Sequence, residues 1–286
     1  HNKHKHKMRR LITFGCSHTN HRYPTWANIL GLNFDKLLNF GRGGSGQLYA
    51  THSLIGAQRH LNITKDDYIV IMMPEENRWD IELKYKEEGL PREHWDVFLP
   101  HHIKNDKHWL GLPDWTSKLN VNFGLLKSTI YINACLNILK EIGCDFKIVF
   151  AMDNKVFYPN SYKDIIKKLG DNVPLQTIGQ ERKGYRFIEE GGTHNGLKLK
   201  DIRRTDCHWI IPAHLDWVKK TFPNLYSDKY DSVVSEWHTE MMSEPKIHYD
   251  LEWGNTYECK YDFNSDELSS HHWMETGKNP KHIPGK

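Results

Sequence analysis

A chain of 286 residues with 38% hydrophobic and 12% aromatic residues can build a packed core, as one large α/β domain or as a core domain with an accessory segment. Lys3, Lys5 and Lys7 account for the whole formal excess of +3; they lie in the opening HNKHKHK run, which reads as an expression tag (1–7) outside the fold. The remaining chain is balanced in charge and lacks the basic surplus of a nucleic-acid binder. No apolar run reaches the roughly 18 to 20 residues of a membrane span, and the stretch from Met8 leaves no room for a signal-peptide core. Five cysteines (16, 135, 144, 207 and 259), odd in number and without a CxxC pair, point to neither a disulfide framework nor a thiolate zinc site. The expectation is a soluble protein of a reducing compartment such as the cytoplasm, with no cofactor and with neither membrane nor nucleic acid as partner.

In chain order, Leu11 to Phe14 is a compact apolar strand that meets a turn at Gly15, and Tyr23 to Leu30 has helical spacing at Trp26, Ile29 and Leu30. Leu37 to Phe40 is a second strand closed by GRGGSG, followed by a helix from about Gln47 to Leu61. Tyr68 to Met73 (YIVIMM) is a continuous apolar run of the kind found in strands buried on both faces of a parallel sheet, and it ends at Pro74. Residues 81–124 read as an irregular insertion rich in Trp, His, Pro and Gly. Leu125 to Ile142 is the clearest helix, stopped by Gly143, and Phe146 to Met152 is another buried strand. Tyr162 to Leu169 is a short helix, after which the chain is polar until Asp206. Pro212 to Phe222, with Pro at a first-turn position, is a closing helix.

Strands alternating with helices predict an α/β fold: a three-layer α/β/α sandwich around a central parallel sheet. The core domain spans 8–222. Residues 223–286, without a sustained hydrophobic period, read as a C-terminal extension that packs on the core.

Four segments carry residue types suited to chemistry. Ser17 stands just past the C-terminal end of the first strand, where open α/β sheets bind their ligands. The glycines of NFGRGGSG (39–46) let a backbone N–H approach an oxyanion, while the missing lysine and Ser/Thr exclude a P-loop. In PEENRWD (74–80), Asn77 can donate an N–H to the same oxyanion, and Arg78 is a candidate substrate-binding cation. In TDCHW (205–209), Asp206 and His208 are two apart, so in an extended segment they share a face and the carboxylate can orient the imidazole.

Taken together, Gly15-Cys16-Ser17, Asn39-x-Gly41-x-x-Gly44, Asn77 and Asp206-Cys207-His208 resemble, in order and approximate spacing over residues 9–222, the conserved blocks of the SGNH (GDSL-like) hydrolase family. The resemblance implies a flavodoxin-like fold. It also implies a Ser17 nucleophile activated by Asp206 and His208, an oxyanion hole from the Ser17 and Gly44 N–H groups plus the Asn77 side chain, and ester or amide hydrolysis through an acyl-enzyme. The chain departs from the family pattern at Cys16, which replaces an aspartate, at Glu75 and Arg78 beside Asn77, and in the Asp-x-His spacing.

His214 is a rival base, and Asp266 with His271 or His272 a second candidate dyad. His94, His101, His102, His108, His238 and His248, like His271 and His272, show no ligand spacing, so no metal is expected. Trp95, Trp109, Trp115, Trp237, Trp253 and Trp273 offer faces for sugar stacking, which makes a carbohydrate ester, such as an O-acetyl sugar, the leading substrate. An O-acyltransferase on the same scaffold, and a non-catalytic carbohydrate-binding or virion-associated module with a degenerate site, are the alternatives.

Overall fold

The computed structural model describes residues 9–21, 24–76, 78–83, 94–98, 121–152, 160–169, 173–181, 193–194, 197–198, 208–243, 247–250 and 254–257. Four strands, β1 (Arg10–Gly15), β2 (Lys36–Gly41), β3 (Tyr68–Met73) and β6 (Asp145–Phe150), form a parallel sheet in the order β2-β1-β3-β6. The chain leaves β1 for β2 on one side and returns to pair β3 on the other. The sheet therefore changes direction between β1 and β3, the place where such sheets form a crevice at the C-terminal strand ends.

Side chains alternate between two cores, as the period of a strand requires. Leu11, Leu37, Val70, Met72 and Val149 face a layer built from α1 (Trp26–Gly31), α5 (Leu175–Glu181) and α6 (Ile211–Thr221). Ile12, Phe14, Leu38, Phe40, Ile69, Ile71, Met73 and Ile148 face α2 (Gln47–Leu61), α3 (Val121–Ile142) and α4 (Asn160–Lys168). The fold is thus the α/β/α sandwich expected from the alternating pattern. Burial on both faces explains why YIVIMM is apolar throughout instead of alternating.

The α1 and α6 helices meet through Trp26 and Trp217, whose rings lie 5.4 Å apart edge to face. Trp217 also donates its Nε1–H to the Val173 carbonyl at 2.7 Å, so the polar edge of this buried ring is satisfied. At the bottom of the sheet, Arg10 grips the buried Asp67 through Nε and Nη2, both at 2.6 Å. Asp67 also accepts the Thr64 N–H at 2.8 Å, which fixes the turn leading into β3.

The structure corrects the sequence reading in several places. Part of the supposedly irregular insertion is an antiparallel hairpin, β4 (Trp79–Leu83) with β5 (His94–Phe98). Trp79, Ile81 and Leu83 do alternate with acidic residues, a period of two that is easily lost beside a Pro- and Gly-rich tract. The polar stretch before Asp206 contains α5 as well as two short strands, β7 (Thr193–His194) and β8 (Leu197–Lys198), paired with each other. Beyond Phe222 there is a further helix, α7 (Asp231–Ser243), and a hairpin of β9 (Ile247–Asp250) with β10 (Gly254–Tyr257). Val234 and Trp237 of α7 join the α1/α6 core; Trp237 is 8% exposed, so its ring is a packing group and offers no face to a sugar.

Candidate active site

The chain leaves β1 at Gly15 with φ +154°, and a Cβ there would collide with Thr19 Oγ1 and stand 2.8 Å from the Met72 carbonyl oxygen. Glycine is therefore dictated by close approach. The following turn is closed by the Thr19 and Asn20 N–H groups, which donate to the Cys16 carbonyl at 2.8 and 3.1 Å. It holds Ser17 at 8% exposure and His18 at 2%. Cys16 is buried and contributes its carbonyl to this turn.

This turn is tied to the glycine-rich loop after β2. Asn39 accepts from Thr13 Oγ1 and from the Gly41 N–H, both at 3.0 Å, and donates to the Thr19 carbonyl at 2.9 Å. Asn20 Nδ2 reaches the Gly41 carbonyl at 3.1 Å, and Ser45 Oγ reaches the Gly15 carbonyl at 3.0 Å. In the turn Arg42–Ser45, closed by Ser45 N–H to Arg42 O at 3.2 Å, Gly44 has φ +75°, the value that the third residue of a type II turn needs. Among the described residues neither the Ser17 N–H nor the Gly44 N–H has an acceptor.

A third loop comes from β3. Gln47 Nε2 donates to the Pro74 carbonyl at 2.8 Å, and Arg78 Nη1 to the Ser45 carbonyl at 3.3 Å. Asp80 accepts the Gly46 and Tyr49 N–H groups at 2.6 and 2.9 Å. It thereby caps α2, whose own N-cap is Gly46 and has no side chain to do so. Lys127 of α3 donates to the Arg78 carbonyl at 2.7 Å, with its ammonium 4.0 Å from the Trp79 ring centroid. Three loops at adjacent strand ends are thus fastened to one another.

The charges here are shifted by burial. The Glu76 carboxyl, 4% exposed, is pushed up to about 7, chiefly by desolvation with help from Glu75 and against the pull of Lys127. Lys127 is pushed down to about 8 by burial, against the attraction of Asp80 and Glu76. Burial also raises Asp80, against its hydrogen bonds from Tyr49 and Gly46. A buried carboxyl that titrates near neutrality beside a strand end is the sort of group that acid–base chemistry uses. The sequence reading passed over Glu76, Lys127 and Asp80 because nothing in their local spacing marks them as buried.

His208 reaches this end of the sheet from the segment before α6. Its ring centroid lies 5.0 Å from that of His18 and 4.1 Å from that of His21. His214, in the first turn of α6, is fully buried, and among the described residues its two ring nitrogens have no hydrogen-bond partner. Burial and the nearby His208 push it down to about 3, against a weaker pull from the Trp209 backbone. His18 falls well below the ordinary histidine range, first through desolvation and then through His208, His214, Arg78 and His21. Both rings are neutral at pH 7. His18 and His21, absent from the sequence reading, stand three apart in CSHTNH, and only the approach of His208 gives them significance.

The structure therefore brings Ser17, Gly44, Arg78, His208 and His214 to one end of the molecule. Asn77, Asp206, Asp266, His271 and His272 lie outside the described residues, as do Trp109, Trp115, Trp253 and Trp273. The Ser17 hydroxyl makes no hydrogen bond among the described residues. Among them, too, no group of three His, Cys, Asp or Glu side chains is arranged to hold a metal ion, and no helix is long and apolar enough to cross a membrane.

No family model matches the chain, and no curated protein matches it in sequence. Among solved structures, protein YxiM from Bacillus subtilis is similar with a TM-score of 0.33 and 12% identity, over 61% of this chain and 46% of YxiM. The chain thus spans less than half the length of that protein.

Proposed function

We propose that the chain is an SGNH-type serine hydrolase that cleaves an ester, with an O-acetyl or other acyl group on a carbohydrate as the leading substrate. The observation that carries this reading is the position of Ser17: nearly buried, on a glycine-dependent turn at the C-terminal end of β1, with the His208 ring packed against its neighbour His18. In this reading His208 accepts the Ser17 proton as the hydroxyl attacks the carbonyl, and Asp206 holds the imidazole tautomer. The Ser17 and Gly44 N–H groups, uncommitted among the described residues, bind the oxyanion with help from Asn77. Water then releases the acyl group. Admitting a sugar hydroxyl in place of water makes the same acyl-enzyme an acyltransferase, and acetate release against transfer to an added sugar distinguishes the two.

A fluorophosphonate reports directly on an activated serine. The expected result is a single adduct by intact mass on the parent protein, absent from Ser17→Ala and formed far more slowly on His208→Ala. A second reading, a carbohydrate-binding module with a degenerate site, is favoured by the Ser17 hydroxyl having no hydrogen bond among the described residues. Catalytic hydrogen bonds are often long before substrate binds, so the labelling experiment separates the two. An unlabelled, folded parent would remove the main support of the hydrolase reading and put the binding module ahead of it.

A further inference from the structure

The cations at this end of the sheet differ in what neutralises them. Lys127 stands over Trp79 and is attracted to Asp80 and Glu76. Arg42 stands over the Tyr49 ring at 5.3 Å. Arg78 has neither kind of partner: among the described residues it forms no ion pair and covers no ring. Its side chain is half-buried, and among the described residues its Nε, shut off from solvent, has no acceptor, while its side-chain hydrogen bond is the 3.3 Å contact from Nη1 to the Ser45 carbonyl.

The carboxylates closest to it in sequence are otherwise engaged. Asp80 holds the Gly46 and Tyr49 N–H groups, and burial pushes the Glu76 carboxyl up to about 7, which weakens its charge at neutral pH. The Arg78 backbone is pinned on both sides, its N–H to Glu75 O at 3.1 Å and its carbonyl to Lys127. Its charge is felt at His18, next to Ser17. A guanidinium with a desolvated donor and, among the described residues, no counter-ion costs free energy that a planar anion with two acceptor oxygens would recover.

We propose that Arg78 selects an anionic substrate: an ester whose alcohol or acyl part carries a free carboxylate, as an O-acetylated uronate does. The assignment rests on the hydrolase reading and adds to it the charge of the substrate.

The test uses the full chain and two acetyl esters of similar shape, 4-acetoxybenzoate and the neutral 4-acetoxybenzamide, each rate divided by that for alkaline hydrolysis. The parent is expected to favour the anion in kcat/KM by about 10-fold or more, the scale of a charge-assisted hydrogen bond. Arg78→Gln should remove most of that preference, chiefly through KM for the anionic ester, and Arg78→Lys should restore part of it. A parent ratio near unity, or a ratio unchanged in Arg78→Gln whatever the absolute rates, overturns the proposal.

If neither ester turns over and Ser17 is not labelled, the hydrolase reading fails separately. Anion selection is then read by calorimetric titration of benzoate and benzamide. Benzoate preference lost in Arg78→Gln supports it, and equal binding of the two overturns it.

Discussion

The His18 and His208 rings lie 5.0 Å apart, although one follows the first strand and the other precedes the last helix of the sandwich. The packing of Trp26 on Trp217 brings them together, because it lays α6 beside α1 and sets the segment before α6 at the end of β1. If His208 is the base, His208→Ala should lower ester turnover by about 10³-fold or more while leaving the fold intact. His18→Gln should cost less, since His18 does not accept the proton. Single-turnover rates on an acetyl ester check this, and equal losses in the two variants would shift the role of base to His18.

Acid should destabilise the protein through its buried histidines. His214 is pushed down to about 3 in the fold against an ordinary 6.5, so between those values the unfolded chain binds a proton that the folded chain does not. Stability then falls as pH drops, by up to about 1.4 kcal/mol per pH unit for each such histidine. His18 acts in the same direction. Glu76 opposes them from about 4.5 to about 7, where it is ionised when unfolded and held protonated in the fold. The loss should therefore steepen below about pH 4.5. Urea midpoints from pH 4 to 7 measure the slope, and a His214→Phe variant should show a shallower one; an identical slope in that variant would remove His214 from the account.

Gly15→Ala should destabilise the protein by about 2–4 kcal/mol, because the new Cβ meets Thr19 Oγ1 and the Met72 carbonyl, and β3 backbone cannot retreat from a paired sheet. Thermal and urea unfolding measure it. A loss below about 0.5 kcal/mol would mean that the turn carrying Ser17 has more than one accessible conformation.

Asp80 supplies from a distant loop the cap that α2 lacks. Asp80→Ala should cost about 2–4 kcal/mol, since it orphans the Gly46 and Tyr49 N–H groups and leaves Lys127 with less compensation. Asp80→Asn, which sheds the desolvated charge but keeps an acceptor for only one of the two N–H groups and turns an NH2 toward the other, should cost less than Asp80→Ala, about 1–2 kcal/mol. Equal losses in the two would point to the charge, not the hydrogen bonds, as what α2 requires. Denaturant unfolding of both variants decides between them.

The layered fold was legible in the sequence because parallel strands buried on both faces must be apolar throughout, and the helices between them carry their own period. YIVIMM, the Leu125–Ile142 helix and the Pro-led closing helix declare themselves locally. The turns that carry Ser17 and Gly44 were legible for a related reason: a strand end followed by a glycine turn is a local pattern, and a φ of +75° or +154° selects glycine whatever lies further away. The β4–β5 hairpin and α7 were not, since their alternation and helical spacing are short and diluted by Trp, His and acidic residues.

What the tertiary structure alone decided is which polar groups lost water. His18, His214, Glu76 and Lys127 look like surface residues in sequence, and burial moves each from its ordinary proton affinity. Likewise, the lack of a counter-ion for Arg78 among the described residues is a property of three loops meeting at the strand ends, and no spacing along the chain encodes it. Desolvation and charge pairing depend on which atoms stand within a few ångströms in space, and that is set only once the sandwich has closed.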